Sequence, residues 1–69
     1  MNNKIGERIK EIRAENNLTQ TEFGNKISVS QDSVSLWEKG KSLPPTENIV
    51  AIAETFDVSA DYILGLKDF

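Results

Sequence analysis

LTQTEFGNKISVSQDSVSLWE, residues 18–38, holds two helix starts separated by a very short turn. Thr19 can cap free amides while Glu22, three residues on, reaches back to the cap, which is the capping-box pattern. Leu18 and Phe23 then occupy the two hydrophobic-staple positions. Val29, Ser30 and Val34 repeat the spacing, with Ser30 as the cap. The first of these helices runs to about Ile27, and Ser28 and Val29 turn the chain into the next. Two short helices joined so tightly cross at a large angle. Such a pair can hold its second helix against the major groove of DNA while the first crosses the backbone.

The flanks extend the pattern. Ile5, Ile9 and Ile12 form one apolar stripe, which predicts a first helix over Lys4 to Glu15. Asn16-Asn17 can end it, because Asn tolerates the left-handed conformation. Val58, Ser59 and Ile63 give a third copy of the cap-and-staple spacing and a helix from about residue 60. A further helix runs from Pro45 or Thr46 to Phe56, with Ile49, Ile52, Ala53 and Phe56 as its buried face and Pro suited to a first helical position. Gly40 and Gly65 suit the ends of the third and fifth helices, and residues 40–45 read as a loop around Pro44-Pro45. No segment alternates as a strand would. The expectation is one all-α domain, residues 1–69, of five short helices.

Composition narrows the function. The chain has 69 residues and buries roughly 60% of its unfolded surface. It has no Cys and no His, so thiolate chemistry, the commonest general base and the commonest metal ligand are missing. No Gly-rich phosphate loop and no metal-ligand spacing is present. The 11 carboxylates mostly alternate with basic groups, as on solvated helix faces. These features argue against an enzyme, and no cofactor, metal or small-molecule substrate is expected. No run of about 18 apolar residues is available to span a membrane, and residues 1–10 lack a signal-peptide apolar stretch. A cytoplasmic protein is the expectation. The net charge of −3 runs against the usual basic character of nucleic-acid binders.

Taken together, Ile9, Arg13, Leu18-Thr19-Gln20, Phe23, Ile27, Val34, Trp37-Glu38, Gly40-Lys41, Pro44, Ile52-Ala53, Val58-Ser59 and Tyr62-Ile63-Leu64-Gly65 resemble the Cro/C1-type (XRE-like) helix-turn-helix regulators of phages and bacteria. The resemblance implies a lambda-repressor-like domain in which helices two and three form the helix-turn-helix. It implies double-stranded operator DNA as partner, with a recognition helix at about 31–39. By position, Gln20 matches a residue that bonds a phosphate, aided by the amides of its helix start. Ser30, Gln31, Asp32 and Ser33 match the opening of the base-reading helix; Gln pairs bidentately with adenine and Ser serves several bases. Ser35 and Leu36 match the next groove-facing positions, and Lys41 a phosphate contact. The plain alternative is that these are polar residues tolerated on an exposed helix turn. Val34 and Trp37 match core positions. Arg13 and Glu38 match a salt bridge between helices one and three, whose bidentate form would fix the recognition helix to the scaffold.

This chain departs from the family pattern at three places. Ser28 stands where the turn often has Gly; a positive φ there costs a non-Gly residue about 1 kcal/mol. The recognition helix carries Asp32 and Glu38 against Lys39 and Lys41, so phosphate contacts are few and salt dependence shallow. Asp32 can accept from cytosine N4. Leu36 replaces a more usual polar reader: it can meet a thymine methyl, fold onto the loop near Leu43, or anchor a protein. The chain is also similar in length and type to the small modulator-of-repression proteins of temperate lactococcal phages. That likeness implies an alternative function, in which the acidic, partly apolar face of helix three binds a partner repressor. Leu64, Leu66 and Phe69 form an apolar edge that either packs on the domain's own core or makes the contact of a homodimer.

Overall fold

The computed structural model describes residues 3–68. Among them are five helices: α1 (Lys4–Glu15), α2 (Gln20–Lys26), α3 (Gln31–Glu38), α4 (Thr46–Phe56) and α5 (Ala60–Leu64). Phe69 lies outside the described residues. The local signals explain the boundaries. The Thr19 hydroxyl accepts from the Glu22 amide at 3.1 Å, and the Glu22 carboxylate accepts from the Thr19 amide at 2.9 Å. Ser30 accepts from the Ser33 amide at 3.2 Å, and Ser59 from the Tyr62 amide at 3.0 Å. Asn17 ends α1 with a φ of 57°, and Gly40 and Gly65 follow α3 and α5 with φ of 73° and 80°.

Helix α4 starts at Thr46, one of the two expected starts, so Pro45 serves as its N-cap and not as its first helical residue. With no side-chain acceptor to offer, it serves through its carbonyl, which accepts from the Asn48 and Ile49 amides. The third helix closes at Glu38, with Lys39 as its C-cap.

The core is Ile9, Ile12, Phe23, Ile27, Val34, Trp37, Ile49, Ile52 and Ile63. Every staple pair contributes to it, the first member half-buried and the second buried. Ala53 and Phe56 reach only partial burial at its margin. Phe56 compensates by stacking on Phe23, with ring centroids 5.0 Å apart. Leu64 and Leu66 are not drawn into this core; they are 40% and 72% exposed.

A polar seam closes α1 against α5. The Arg8 guanidinium lies over the Tyr62 ring, 4.1 Å from its centroid, and reaches Asp68 at 3.4 Å. The Tyr62 hydroxyl donates to Glu11 at 2.6 Å. That bond holds the phenol above its ordinary pKa, because the carboxylate stabilises the protonated form.

The turn between α2 and α3 rests on close backbone approach. Ser28 takes a φ of 62°, the strained conformation that a non-Gly turn residue was expected to carry. The Val29 amide then donates back to the Gly24 carbonyl at 2.9 Å. A Cβ on Gly24 would sit 2.5 Å from the Val29 carbonyl oxygen. A backbone atom cannot swing aside as a side chain does, so the turn would have to open. Gly24→Ala is therefore expected to destabilise the domain by about 1–3 kcal/mol, read from urea midpoints. A midpoint equal to wild type would show that the turn does not need this approach.

Candidate nucleic-acid interface

Helix α3 has one buried side and one free side. Val34 and Trp37 are 0% and 4% exposed, so the core fixes the back of the helix. Gln31, Asp32, Leu36 and Lys39 are exposed, and Ser33 and Ser35 are half-exposed. Residues four apart share a helix face, so Gln31, Asp32, Ser35 and Leu36 form one surface. Ser30 and Lys41 border it at the two ends, both exposed. Leu36 is 42% exposed and Leu43 53%, so neither is covered by the other's loop.

The hydroxyls of Ser30 and Ser33 are 3.2 Å apart, and Ser30 also caps the helix. Ser30 is thus first a structural acceptor at the edge of the surface. At the far end the Lys41 amide donates to the Leu36 carbonyl at 3.0 Å, which seats the loop carrying the Lys41 side chain.

A partly buried ion pair anchors α3 from behind. Arg13 Nε donates to Glu38 Oε2 at 2.7 Å and Arg13 Nη2 to Glu38 Oε1 at 3.1 Å, the two-point geometry expected of the pair. Arg13 Nη1 donates to the Leu18 carbonyl at 2.9 Å, which ties the α1–α2 connection to the same group. The side chains are 18% and 6% exposed. The bond to Glu38 raises the guanidinium pKa further above its ordinary value. The Asn3 side-chain amide adds a donor to the Glu38 backbone carbonyl at 3.2 Å.

Sequence reasoning missed what Glu38 does beyond Arg13. Gln20 Nε2 donates to Glu38 Oε1 at 3.1 Å, and Gln31 Nε2 donates to Gln20 Oε1 at 2.7 Å. The resemblance gives Gln20 and Gln31 separate roles, but their side chains are bonded to each other. Their separation of 11 residues leaves no periodic signal to read. The remaining candidates lie elsewhere. Leu64 and Leu66 sit at and just beyond the end of α5. A surface depression lined by Ile12, Glu15, Asp57, Val58 and Tyr62 shares no residue with the α3 surface. Among the described residues no group of three or more acidic, His or Cys side chains is arranged to hold a metal ion. No helix there is long and apolar enough to cross a membrane.

Removing the Glu38 carboxylate leaves a largely buried guanidinium and one amide without their acceptor. Glu38→Ala should cost about 2 kcal/mol of stability, measured by thermal or urea unfolding. Unchanged stability would mean that the pair does not tie α3 to α1.

Comparison with known proteins bears on this geometry directly. The sequence model of the family described as Helix-turn-helix matches residues 9–63. The chain is 36% identical over 62 residues to the uncharacterized HTH-type transcriptional regulator YobD of Bacillus subtilis, covering 90% of this chain and 55% of that protein. It is 37% identical over 62 residues to the cryptic phage CTXphi transcriptional repressor RstR of Vibrio cholerae, with the same shares of 90% and 55%. Among solved structures, it resembles the c2 repressor of Salmonella phage P22 in complex with synthetic operator 9T. The TM-score is 0.80 at 32% identity, covering 86% of this chain and 89% of that one. The chain spans about half the length of the first two relatives. With its tight turn, its core-anchored third helix and a family match over most of its length, the chain belongs to the Cro/C1-type (XRE-like) helix-turn-helix family.

Proposed function

We propose that this protein binds double-stranded DNA sequence-specifically, as a transcriptional regulator in a phage or bacterial gene switch, with α3 in the major groove. The observation that carries this reading is the build of α3: a polar, exposed first turn on a helix whose back is locked by Val34, Trp37 and the Arg13–Glu38 pair. Its likeness to a repressor solved on its operator supports the same placement. In this reading Gln31, Asp32, Ser33 and Ser35 face base edges. Gln31 offers an amide to adenine, and Asp32 an acceptor to cytosine N4. Leu36 faces a thymine methyl, a role its 42% exposure permits. Gln20 and Lys41 hold phosphates, Gln20 through the second proton of the amide that Glu38 engages. The task is binding and not catalysis.

The acidic net charge does not oppose this. Glu11, Glu15, Glu54, Asp57 and Asp61 lie on α1, α4, α5 and their connections, whereas Lys39 and Lys41 close the α3 surface. Few basic groups meet phosphates, so the salt dependence is shallow. The exposed Leu64 and Leu66 supply an apolar edge for a second copy, which would place two α3 helices on a palindromic site with centres about one DNA turn apart.

Fluorescence anisotropy with duplexes selected from a randomised library tests this function. Lys41→Ala should weaken binding to all duplexes alike and lower the salt slope by about 1, whereas Gln31→Ala should cost about 1–3 kcal/mol at one base pair. If the protein binds no duplex alone but changes the DNA affinity of a neighbouring repressor, the same face serves a protein partner instead.

A further inference from the structure

We propose that Glu38 sets the donor–acceptor polarity of Gln31 through Gln20, and thereby makes it choose adenine over guanine. The proposal rests on the reading that Gln31 faces a base edge.

A carboxylate can only accept and a guanidinium can only donate. Arg13 holds Glu38 from one side, so the Oε1 atom that reaches Gln20 must meet the NH2 end of that amide, at 3.1 Å. The Gln20 carbonyl end is thereby turned outward, to Gln31. It must meet the NH2 end of Gln31, at 2.7 Å. The polarity begins at a nearly buried group, with the Glu38 side chain 6% exposed, and ends at an exposed one. Each amide in the chain therefore has one permitted flip.

The consequence falls on the free edge of Gln31. One of its two N–H protons is already donated to Gln20. What remains is one proton and the carbonyl oxygen. Adenine presents an acceptor, N7, beside a donor, the N6 amino group, which matches that remainder. Guanine presents two acceptors, N7 and O6, and asks for two protons. Gln31 has only one left, and its carbonyl would oppose O6 lone pair to lone pair.

Glu38→Gln should release the chain. Arg13 donates to both oxygens of Glu38, and Oε1 is the atom that Gln20 reaches, so an amide there sets its NH2 against one Arg13 donor in either orientation. One orientation accepts from Gln20 and the other donates to it, so Gln20 is no longer held to a single flip, and neither is Gln31. Both protons of Gln31 then become available to guanine. Glu38 is thus a positioning residue for specificity, acting on the base at a distance.

The test uses the whole protein and the duplex it enriches from a randomised library. Gln31→Ala first identifies the base pair that Gln31 reads, by its loss of preference there. Wild type and Glu38→Gln are then compared on duplexes carrying A·T or G·C at that pair. Wild type should favour adenine, and Glu38→Gln should move the ratio toward guanine by about tenfold or more. A general loss of stability lowers affinity for both duplexes and leaves the ratio alone. A wild-type ratio in Glu38→Gln, with the preference lost in Gln31→Ala, overturns the relay and leaves the reading of Gln31 intact. If Gln31→Ala alters no base preference, that reading falls and the relay with it. If Glu38→Gln does not fold, Gln20→Ala decides. It frees Gln31 to adopt either flip, so the adenine preference should drop about tenfold, and an unchanged ratio overturns the proposal.

Discussion

The Arg13–Glu38 ion pair joins the first helix to the end of the third, and three other features are referred to it. Arg13 Nη1 donates to the Leu18 carbonyl, which fixes where the chain enters α2. Glu38 Oε1 also accepts from Gln20, the first residue of α2. Its backbone carbonyl takes the Asn3 amide, at the start of α1. Removing charges from water is costly, and it is tolerated where geometry is two-pointed and other lone pairs are satisfied. Both conditions hold here, and no buried side-chain polar atom among the described residues lacks a partner. The pair gives a small domain something its apolar core cannot: a fixed rotation of α3 about its own axis. Isoleucine contacts tolerate sliding, whereas a forked guanidinium on a carboxylate does not.

That rotation matters because of what lies opposite. Val34 and Trp37 face inward, so Gln31, Asp32, Ser35 and Leu36 face outward as a set. The α2–α3 turn makes the set accessible by keeping the two helices close. It does so at some cost. Ser28 accepts a left-handed backbone, and Gly24 gives up a side chain so that the Val29 carbonyl can approach. Strain of this kind persists when surrounding packing determines it, and here Phe23, Ile27 and Val34 do so from both sides of the turn.

Much of the fold was legible because its determinants are local. Thr19, Ser30 and Ser59 declare helix starts by caps and staples that span only a few residues. The strain at Ser28 was foreseeable from the resemblance, since Ser28 stands where the family's turn often has Gly. The Arg13–Glu38 pair came from resemblance to a family and not from spacing, since no periodicity links residues 25 apart. What stayed hidden was tertiary. The bond between Gln20 and Gln31 joins two residues that look like ordinary exposed polar positions. The Arg8–Tyr62–Glu11 seam left no local signal, because helical charge alternation looks the same with or without a neighbour. Ala53 and Phe56 read as buried, but they end at the rim, where a core of this size runs out.

The surface and the fold are therefore one construction: the carboxylate that ties α3 to α1 also holds Gln20, which in turn holds Gln31 on the exposed face. An acidic protein can read DNA in this way if its few cations are well placed and its polar readers preorganised. The most direct measurement is an amide chemical-shift titration of the isotope-labelled protein with the duplex it enriches from a randomised library. The largest shifts are expected on Gln20, Gln31 to Leu36 and Lys41, including the side-chain amides of both glutamines. Shifts confined to the α1–α5 seam, or none at saturating duplex, would contradict DNA binding through α3.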